Sequence, residues 1–160
     1  MKLLKLNIAL VFGLFMVLLS CNNGAQDEEA SSNQQISGEG KIIEKREDGH
    51  PKVIRYKTET NNLFKEVTYY KNGNPRIEGL IKNDKRTGLW KSYYKNGTLW
   101  SQANYKNDFK DGIYTTFYNN GIIRIRGQYQ MGDRTGLWNF YTKDGKLAKK
   151  IDYDKVDTKN

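Results

Sequence analysis

The amino-acid sequence predicts an all-β fold: an elongated antiparallel meander of repeated 24-residue β-hairpins, forming one layer of sheet. The stretch YYKNG begins at Tyr69 and returns at Tyr93, and the related stretches FYNNG and YTKDG begin at Phe117 and Tyr141, again 24 residues apart. An Asn-Gly or Asp-Gly pair recurs with the same period. A fixed period of this length predicts units that stack on one another to bury a shared core.

Each unit contains one dipeptide of the kind that reverses a hairpin. Two-residue type I′ turns need a positive φ at both central residues, which Asn, Asp and Gly tolerate. The predicted units span 43–66, 67–90, 91–114, 115–138 and 139–160, and their turn glycines are Gly49, Gly73, Gly97, Gly121 and Gly145. A second connection joins consecutive hairpins, and its glycines, Gly88, Gly112 and Gly136, are expected to take a positive φ where the loop ends.

The position of the turn fixes which residues share a face. With Asn96 and Gly97 as turn residues, Trp90 lies opposite Ala103 and Tyr93 lies opposite Trp100. Because side chains alternate between the faces of a strand, one face is predicted to form the core. Its residues are Trp90, Tyr94, Leu99, Tyr105, Tyr114, Tyr118, Ile123, Ile125, Tyr129, Trp138, Phe140, Leu147 and Ile151. The small Ala103 and Gly127 are expected to leave room for a ring to lie across the neighbouring strand.

The opposite face is the candidate binding surface. It is predicted to display Tyr69, Tyr93, Phe117 and Tyr141 in a column, with Arg76, Trp100, Arg124 and Ala148 as cross-strand partners and Lys91, Gln102, Arg126 and Lys150 beside them. Rings alternating with guanidinium groups suit cation–π contact with a ligand or with each other. In the alternative interpretation, the rings hold a two-sided sheet together and long basic side chains cover them.

The N-terminus has the pattern of an export signal. Lys2 and Lys5 precede an apolar run from Ile8 to Leu19, which is shorter than the roughly 20 apolar residues of a membrane-spanning helix. Residues 1–20 are therefore predicted to be a cleaved signal peptide. A lone cysteine in an exported chain has no disulfide partner within it.

The stretch Leu18-Leu19-Ser20-Cys21 resembles the lipobox of bacterial lipoproteins. The resemblance implies cleavage after Ser20 and acylation of Cys21, which would attach the chain to the cell envelope, with the outer membrane as the expected site. An ordinary secretory signal with a chance cysteine is the alternative. Two or three acyl chains would make the attachment almost permanent.

Residues 21–40 are predicted to be a flexible tether, because from Asn22 to Gly40 the chain contains one large aliphatic residue, Ile36, and no aromatic one. Asp27, Glu28 and Glu29 resemble the acidic export tag of bacterial surface lipoproteins, which implies a surface location; plain solvated charge is the alternative.

The remaining residues, 41–160, form the predicted repeat domain, and their charge is strongly basic. The chain has 27 basic and 18 acidic residues, of which 25 and 14 lie in the domain, a net charge of +11. Export leaves little opportunity for nucleic-acid binding, so anionic envelope polymers, lipid head groups or proteins are the expected partners.

The side-chain inventory argues against an enzyme. His50 is the single histidine, Cys21 is the single cysteine, and neither a metal-ligand set nor a nucleophilic triad can be assembled from them. Pairs of acids such as Asp108 and Asp111 recur at loop positions, where they are expected to form turns. No cofactor, no metal site and no catalytic residue are predicted.

The pattern YYKNGTLWSQANYKNDFKDGIY resembles the MORN repeat variant family of bacteria. The similarity covers residues 67–153 well and the first unit loosely, since Glu66 stands where later units have Trp90 and Trp138. The resemblance implies an elongated single-layer sheet that binds proteins or membranes without catalysis. A non-catalytic envelope binding module is therefore expected; an antitoxin- or immunity-like neutraliser of a toxin, or an envelope scaffold built by edge pairing, is the alternative.

Overall fold

The computed structural model describes residues 36–155, so the predicted signal peptide, Cys21, the acidic residues 27–29 and most of the predicted tether lie outside the described residues. Ten strands form one antiparallel sheet in chain order. They are β1 (Lys41–Lys45), β2 (Pro51–Lys57), β3 (Leu63–Tyr69), β4 (Pro75–Lys82), β5 (Lys85–Tyr93), β6 (Leu99–Lys106), β7 (Phe109–Phe117), β8 (Ile123–Gln130), β9 (Asp133–Tyr141) and β10 (Leu147–Asp152). The predicted all-β meander is confirmed, and no helix occurs within 36–155.

The Asn-Gly and Asp-Gly pairs lie in the hairpin loops, as predicted, but the predicted turn type is wrong. Gly97 N donates to Tyr94 O at 2.9 Å and Tyr94 N donates to Thr98 O at 2.8 Å, which closes a loop of three residues. Gly97 has a φ of 88°, whereas Asn96 is not among the residues with positive φ. The cause is the Asn96 side chain, whose oxygen accepts from Thr98 N at 3.1 Å and stabilises the ordinary backbone conformation. Gly49, Gly73, Gly121 and Gly145 repeat this geometry.

The type I′ turns lie instead between the hairpins. Asn83 and Asp84 have φ values of 51° and 59°, and Asn107 and Asp108 have values of 50° and 72°. Each pair forms the whole loop, because Lys82 pairs with Lys85 and Lys106 pairs with Phe109. Two residues with positive φ match the right-handed twist of the strands that they connect.

Gly88, Gly112 and Gly136 have the predicted positive φ, with values of 62°, 112° and 60°, but they lie inside strands rather than at the ends of loops. On the β4 side of β5, Thr87 pairs with Leu80 and Lys91 pairs with Glu78. The three residues 88–90 therefore occupy the space opposite Gly79. Such a bulge bends the strand and re-aims the side chains that follow it.

The bulges explain how the large rings pack. A Cβ atom at Gly79 would lie 2.2 Å from the Trp90 ring, and one at Gly127 would lie 2.2 Å from the Trp138 ring. Each indole thus lies flat over a glycine of the preceding strand. Trp90 does pair with Ala103 in the predicted register, but the space that its ring uses is at Gly79, on the other neighbouring strand.

The two faces of the sheet are defined by the register. The ring face carries Trp90, Tyr105, Tyr114, Tyr129, Trp138 and Phe140, and the second face carries Tyr93, Phe117 and Tyr141. The register shifts near the hairpin ends, so that Leu99, Ile123 and Leu147 pair with Tyr93, Phe117 and Tyr141. These three aliphatic residues therefore lie on the second face, and their predicted place in the core is wrong.

Buried residues lie on both faces, so the prediction of one dry face is also wrong. Trp138 is 1% exposed and Trp90 is 9% exposed on the ring face. In the first units, Leu63, Val67 and Leu80 are buried on the second face, since they pair across β3 and β4 with residues of that side. A single-layer sheet has no covering layer, so each face must bury its own side chains.

Candidate binding surfaces

Three cation–ring stacks on the ring face recur with the period of the sequence, and their cations lie in the units 67–90, 91–114 and 115–138. The Arg86 guanidinium carbon lies 4.3 Å from the Tyr105 ring centroid and 5.9 Å from that of Trp90. Lys110 Nζ lies 4.6 Å from the Tyr114 centroid and 4.8 Å from that of Tyr129. The Arg134 guanidinium carbon lies 4.7 Å and 5.3 Å from the Trp138 and Tyr153 centroids. The cations are 24 residues apart, so the stacks belong to the repeat itself.

These stacked cations were not among the predicted site residues. The sequence does contain a signal for them, because a basic residue recurs every 24 positions, as Arg86 in KRTG, Lys110 in FKDG and Arg134 in DRTG. Strand alternation also places them on the ring face, because each lies four residues before Trp90, Tyr114 or Trp138. The prediction that the aromatic side is dry and the cations lie opposite is therefore corrected.

The predicted partners of the tyrosine column contact a different set of rings. The guanidinium carbons of Arg76 and Arg124 lie 5.9 Å and 5.7 Å from the ring centroids of Tyr70 and Tyr118. The Trp100 ring lies 6.5 Å from the Tyr94 ring. Each therefore stacks on the residue after the predicted one. The shift arises at the hairpin loops, because a loop of three residues places Leu99, and not Trp100, opposite Tyr93.

Tyr70, Tyr94 and Tyr118 connect successive hairpins. Their hydroxyls donate to the carbonyls of Tyr93, Phe117 and Tyr141 at 2.8, 2.9 and 2.8 Å. Arg46 stands 24 residues before Tyr70 and donates likewise to Tyr69 O. Tyr94 and Tyr118, predicted as core residues, are thus half-buried clamps at the hairpin ends.

The second face shows three parallel rows across β5 to β10. The middle row follows the ladder Lys91, Gln102, Thr115, Arg126, Asn139 and Lys150. One outer row contains Tyr93, Leu99, Phe117, Ile123, Tyr141 and Leu147. In the other, Leu89, Ile113 and Leu137 alternate with their polar partners Asn104, Gln128 and Asp152. The predicted neighbours Lys91, Gln102, Arg126 and Lys150 are therefore together on one face, with Tyr93, Phe117 and Tyr141 beside them.

Two tyrosines of the predicted column make hydrogen bonds within the sheet. The hydroxyls of Tyr69 and Tyr56 are 2.9 Å apart, and Tyr93 donates to the Glu78 carboxylate. Burial and these hydrogen bonds raise the pKa of both Tyr69 and Tyr93. Burial would raise the pKa of Glu78, but the hydrogen bonds from Lys65 and Tyr93 outweigh it and lower that pKa. Both hydroxyls therefore stay protonated and structural at neutral pH.

Ion pairing differs between the two ends of the sheet. In the first half, Arg55 pairs with Glu66 at 2.8 Å, Lys65 with Glu78 at 2.8 Å and Arg86 with Asp108 at 3.1 Å. Residues 109–150 contain eight basic and three acidic side chains. Within 109–150, the one ion pair is Lys146 with Asp144. Most basic side chains of residues 109–150 therefore have no carboxylate partner within that range.

The described residues 36–155 contain no group of three or more His, Cys, Asp or Glu side chains placed to hold a metal ion. Over the same range, no helix is long and apolar enough to cross a membrane. His50 lies exposed beside the first hairpin turn, where its backbone N–H donates to Asp48 Oδ1 at 3.1 Å.

The fold and its periodic contacts define a class of protein: an open, single-layer β-repeat sheet with cation–ring stacks repeated along it. The model of the MORN repeat variant matches four consecutive segments, residues 65–83, 86–107, 110–131 and 134–155, which together make up more than half of the chain. The chain belongs to this family, as the sequence pattern predicted. Searches of curated proteins and of solved structures found no match. The family supports a repeat-based binding module and is generally non-catalytic.

Proposed function

We propose that the chain is a non-catalytic binding module, held at the cell envelope by a lipid on Cys21, whose second face binds an acidic protein. The observation that supports the proposal is the row of polar and basic side chains on that face, which has a row of aromatic and aliphatic residues on one side and exposed aliphatic residues on the other. Ile113, Leu137 and Leu147 are 47%, 58% and 48% exposed. Protein interfaces combine such apolar and aromatic groups with arginine.

The charge of the middle row supports an acidic partner. Arg126 and Lys150 are exposed, flank Asn139 across adjacent strands, and pair with no carboxylate within residues 36–155. Since neighbouring strands are about 4.8 Å apart, the two cations are spaced by about 10 Å. An extended segment with two acidic side chains on one side would meet both cations.

The exposed aliphatic residues of the outer rows favour a protein over a purely polar polymer. An anionic polysaccharide would neutralise Arg126 and Lys150 but would leave Ile113 and Leu137 exposed to water. The apolar surface of these two residues would then contribute nothing to binding. A protein partner would cover both, at about 25 cal/mol for each Å² of apolar surface removed from water. Neutralisation of a toxin is one form that such a complex would take.

The test compares two charge reversals of equal size. Affinity capture from solubilised membranes identifies the dominant bound protein, and its affinity is then measured by calorimetry. Arg126→Glu with Lys150→Glu should weaken binding at least tenfold. The control, Lys71→Glu with Lys95→Glu, changes exposed turn lysines by the same charge and should bind like the wild type.

Equal affinities for the two charge-reversed proteins would reject this surface. Retention on anionic polysaccharide beads with no protein captured would reject a protein partner in favour of a polymer. Concentration-dependent sheet-to-sheet association in sedimentation, without any other partner, would favour the scaffold.

A further inference from the structure

The ring face contains a groove in its middle that none of the contacts above requires. It has a volume of about 550 Å³ and is lined by residues of strands β2 to β7. Its lining includes Trp90, Ala103, Tyr105, Tyr114 and Trp100. Trp100 is 44% exposed, so an indole ring is available to a ligand.

The groove exists because one unit has small residues where its neighbours have large ones. Ser92 and Ser101 face each other across β5 and β6. The equivalent pairs are Thr68 with Ile77, Thr116 with Ile125, and Phe140 with Lys149. The exposed ring is also particular to this unit, since Arg76, Arg124 and Ala148 stand at the positions equivalent to Trp100. The groove and the exposed indole thus occur together in one unit, whereas the structural contacts recur from unit to unit.

The charges in the groove balance, which separates its chemistry from that of the second face. Its lining contains three cations, Arg55, Arg86 and Lys110, and three carboxylates, Glu66, Asp84 and Asp108. Arg55 pairs with Glu66 and Asp84, and Arg86 pairs with Asp108. An anion would gain little from such a lining, because carboxylates already neutralise two of the cations.

We propose that this groove binds a neutral oligosaccharide, with one sugar ring stacked on Trp100 and its hydroxyls hydrogen-bonded to Ser92, Ser101 and the paired Arg86 and Asp108. A sugar has apolar C–H faces for an indole and hydroxyls that both donate and accept. Concave sites with aromatic walls and a few oriented polar groups are the usual form of small-ligand sites. The groove lies on the ring face, so this binding is separate from that of the acidic protein.

The repeat supplies test substitutions that its own fold accommodates. Trp100→Arg introduces the residue of the equivalent positions 76 and 124, and Ser101→Ile introduces the residue of positions 77 and 125. The first removes the stacking ring and the second fills the groove. The matched control is Arg126→Ala on the second face, which should not affect sugar binding.

The experiment screens the full chain against an array of neutral and acidic oligosaccharides, and measures affinity for the best ligand by tryptophan fluorescence and calorimetry. We expect a neutral oligosaccharide to bind saturably, with each groove variant weakening binding at least tenfold, about 1.4 kcal/mol. No bound neutral sugar, binding of acidic sugars alone, or unchanged affinity in Trp100→Arg would overturn the proposal. None of these outcomes changes the protein binding tested by Arg126→Glu with Lys150→Glu, so the two proposals fail separately.

Discussion

Trp138 and Trp90 show how one side chain stabilises a sheet that has no second layer. Each indole covers a glycine on the preceding strand and lies beneath a cation of its own strand, so two adjacent strands enclose it. Trp138 also contacts the rings of Tyr114, Tyr129 and Tyr153, at centroid distances of 5.8, 5.2 and 5.6 Å. The core of this protein is thus divided into small clusters, each centred on one ring.

Truncating either buried indole should be severely destabilising. Trp138→Ala is expected to lower the free energy of unfolding by about 3–5 kcal/mol, since it removes the ring and leaves a cavity that glycine cannot fill. Trp90→Ala should act similarly and also lose the hydrogen bond from Nε1 to Leu80 O at 3.1 Å. Trp100→Ala is the control, and urea unfolding should show a loss below about 1 kcal/mol. A Trp138→Ala melting temperature within a degree of wild type would contradict the packing assignment.

Ionisation of Glu78 should make the stability of the folded protein depend on pH. Its pKa is lowered in the folded state from the ordinary value of 4.5 by hydrogen bonds from Lys65 and Tyr93. A carboxylate with a lowered folded pKa stabilises the protein above its unfolded pKa, and this contribution is lost as the pH falls through the folded value. We expect the urea midpoint to fall between pH 6 and pH 3, and to fall less in Glu78→Gln. Glu47→Gln, at an exposed turn, should follow the wild type; equal slopes for all three proteins would exclude Glu78 as the cause.

At the scale of the element, the hairpin is held to the next one by a tyrosine. Tyr94→Phe removes only the hydroxyl that donates to Phe117 O, so the unfolding free energy should fall by about 0.5–1.5 kcal/mol. Hydrogen exchange should quicken at the hairpin ends of β5 to β8. Tyr141→Phe is the matched control, because its hydroxyl makes none of the clamp bonds. The same loss in both variants would mean that the clamp contributes nothing of its own.

The hairpins, their period and their central register could be predicted from the sequence, because they depend on spacing alone. Trp90 lies opposite Ala103, as predicted. The turn types could not be predicted from the residue types. Asn96 and Asn107 are both asparagines, but only Asn107 has a positive φ. The difference depends on whether a side-chain hydrogen bond or the twist of the strands determines the backbone conformation. The bulge opposite Gly79 could not be predicted either, and it lays the Trp90 ring over that glycine. The register shift at the hairpin loop is what moved Leu99 off the ring face.

At the scale of the whole molecule, strands contact mainly their neighbours in the chain, and the sheet order is the chain order. Stability should therefore be close to a sum of unit and neighbour terms. A chain ending at Gly132, which lacks β9 and β10, should keep β2 to β6 folded, with exchange quickening mainly in β7 and β8. Circular dichroism and hydrogen exchange measure this, and complete unfolding of the shortened chain would show that the sheet behaves as one cooperative block.

Neighbour-only contacts have a consequence for how such a protein changes in evolution. Duplicating a 24-residue segment in the gene would add two strands, about 10 Å of sheet, without disturbing any existing contact. The length of the sheet can thus change independently of its binding sites. One repeat can acquire a groove such as the one beside Trp100 while the other repeats maintain the fold.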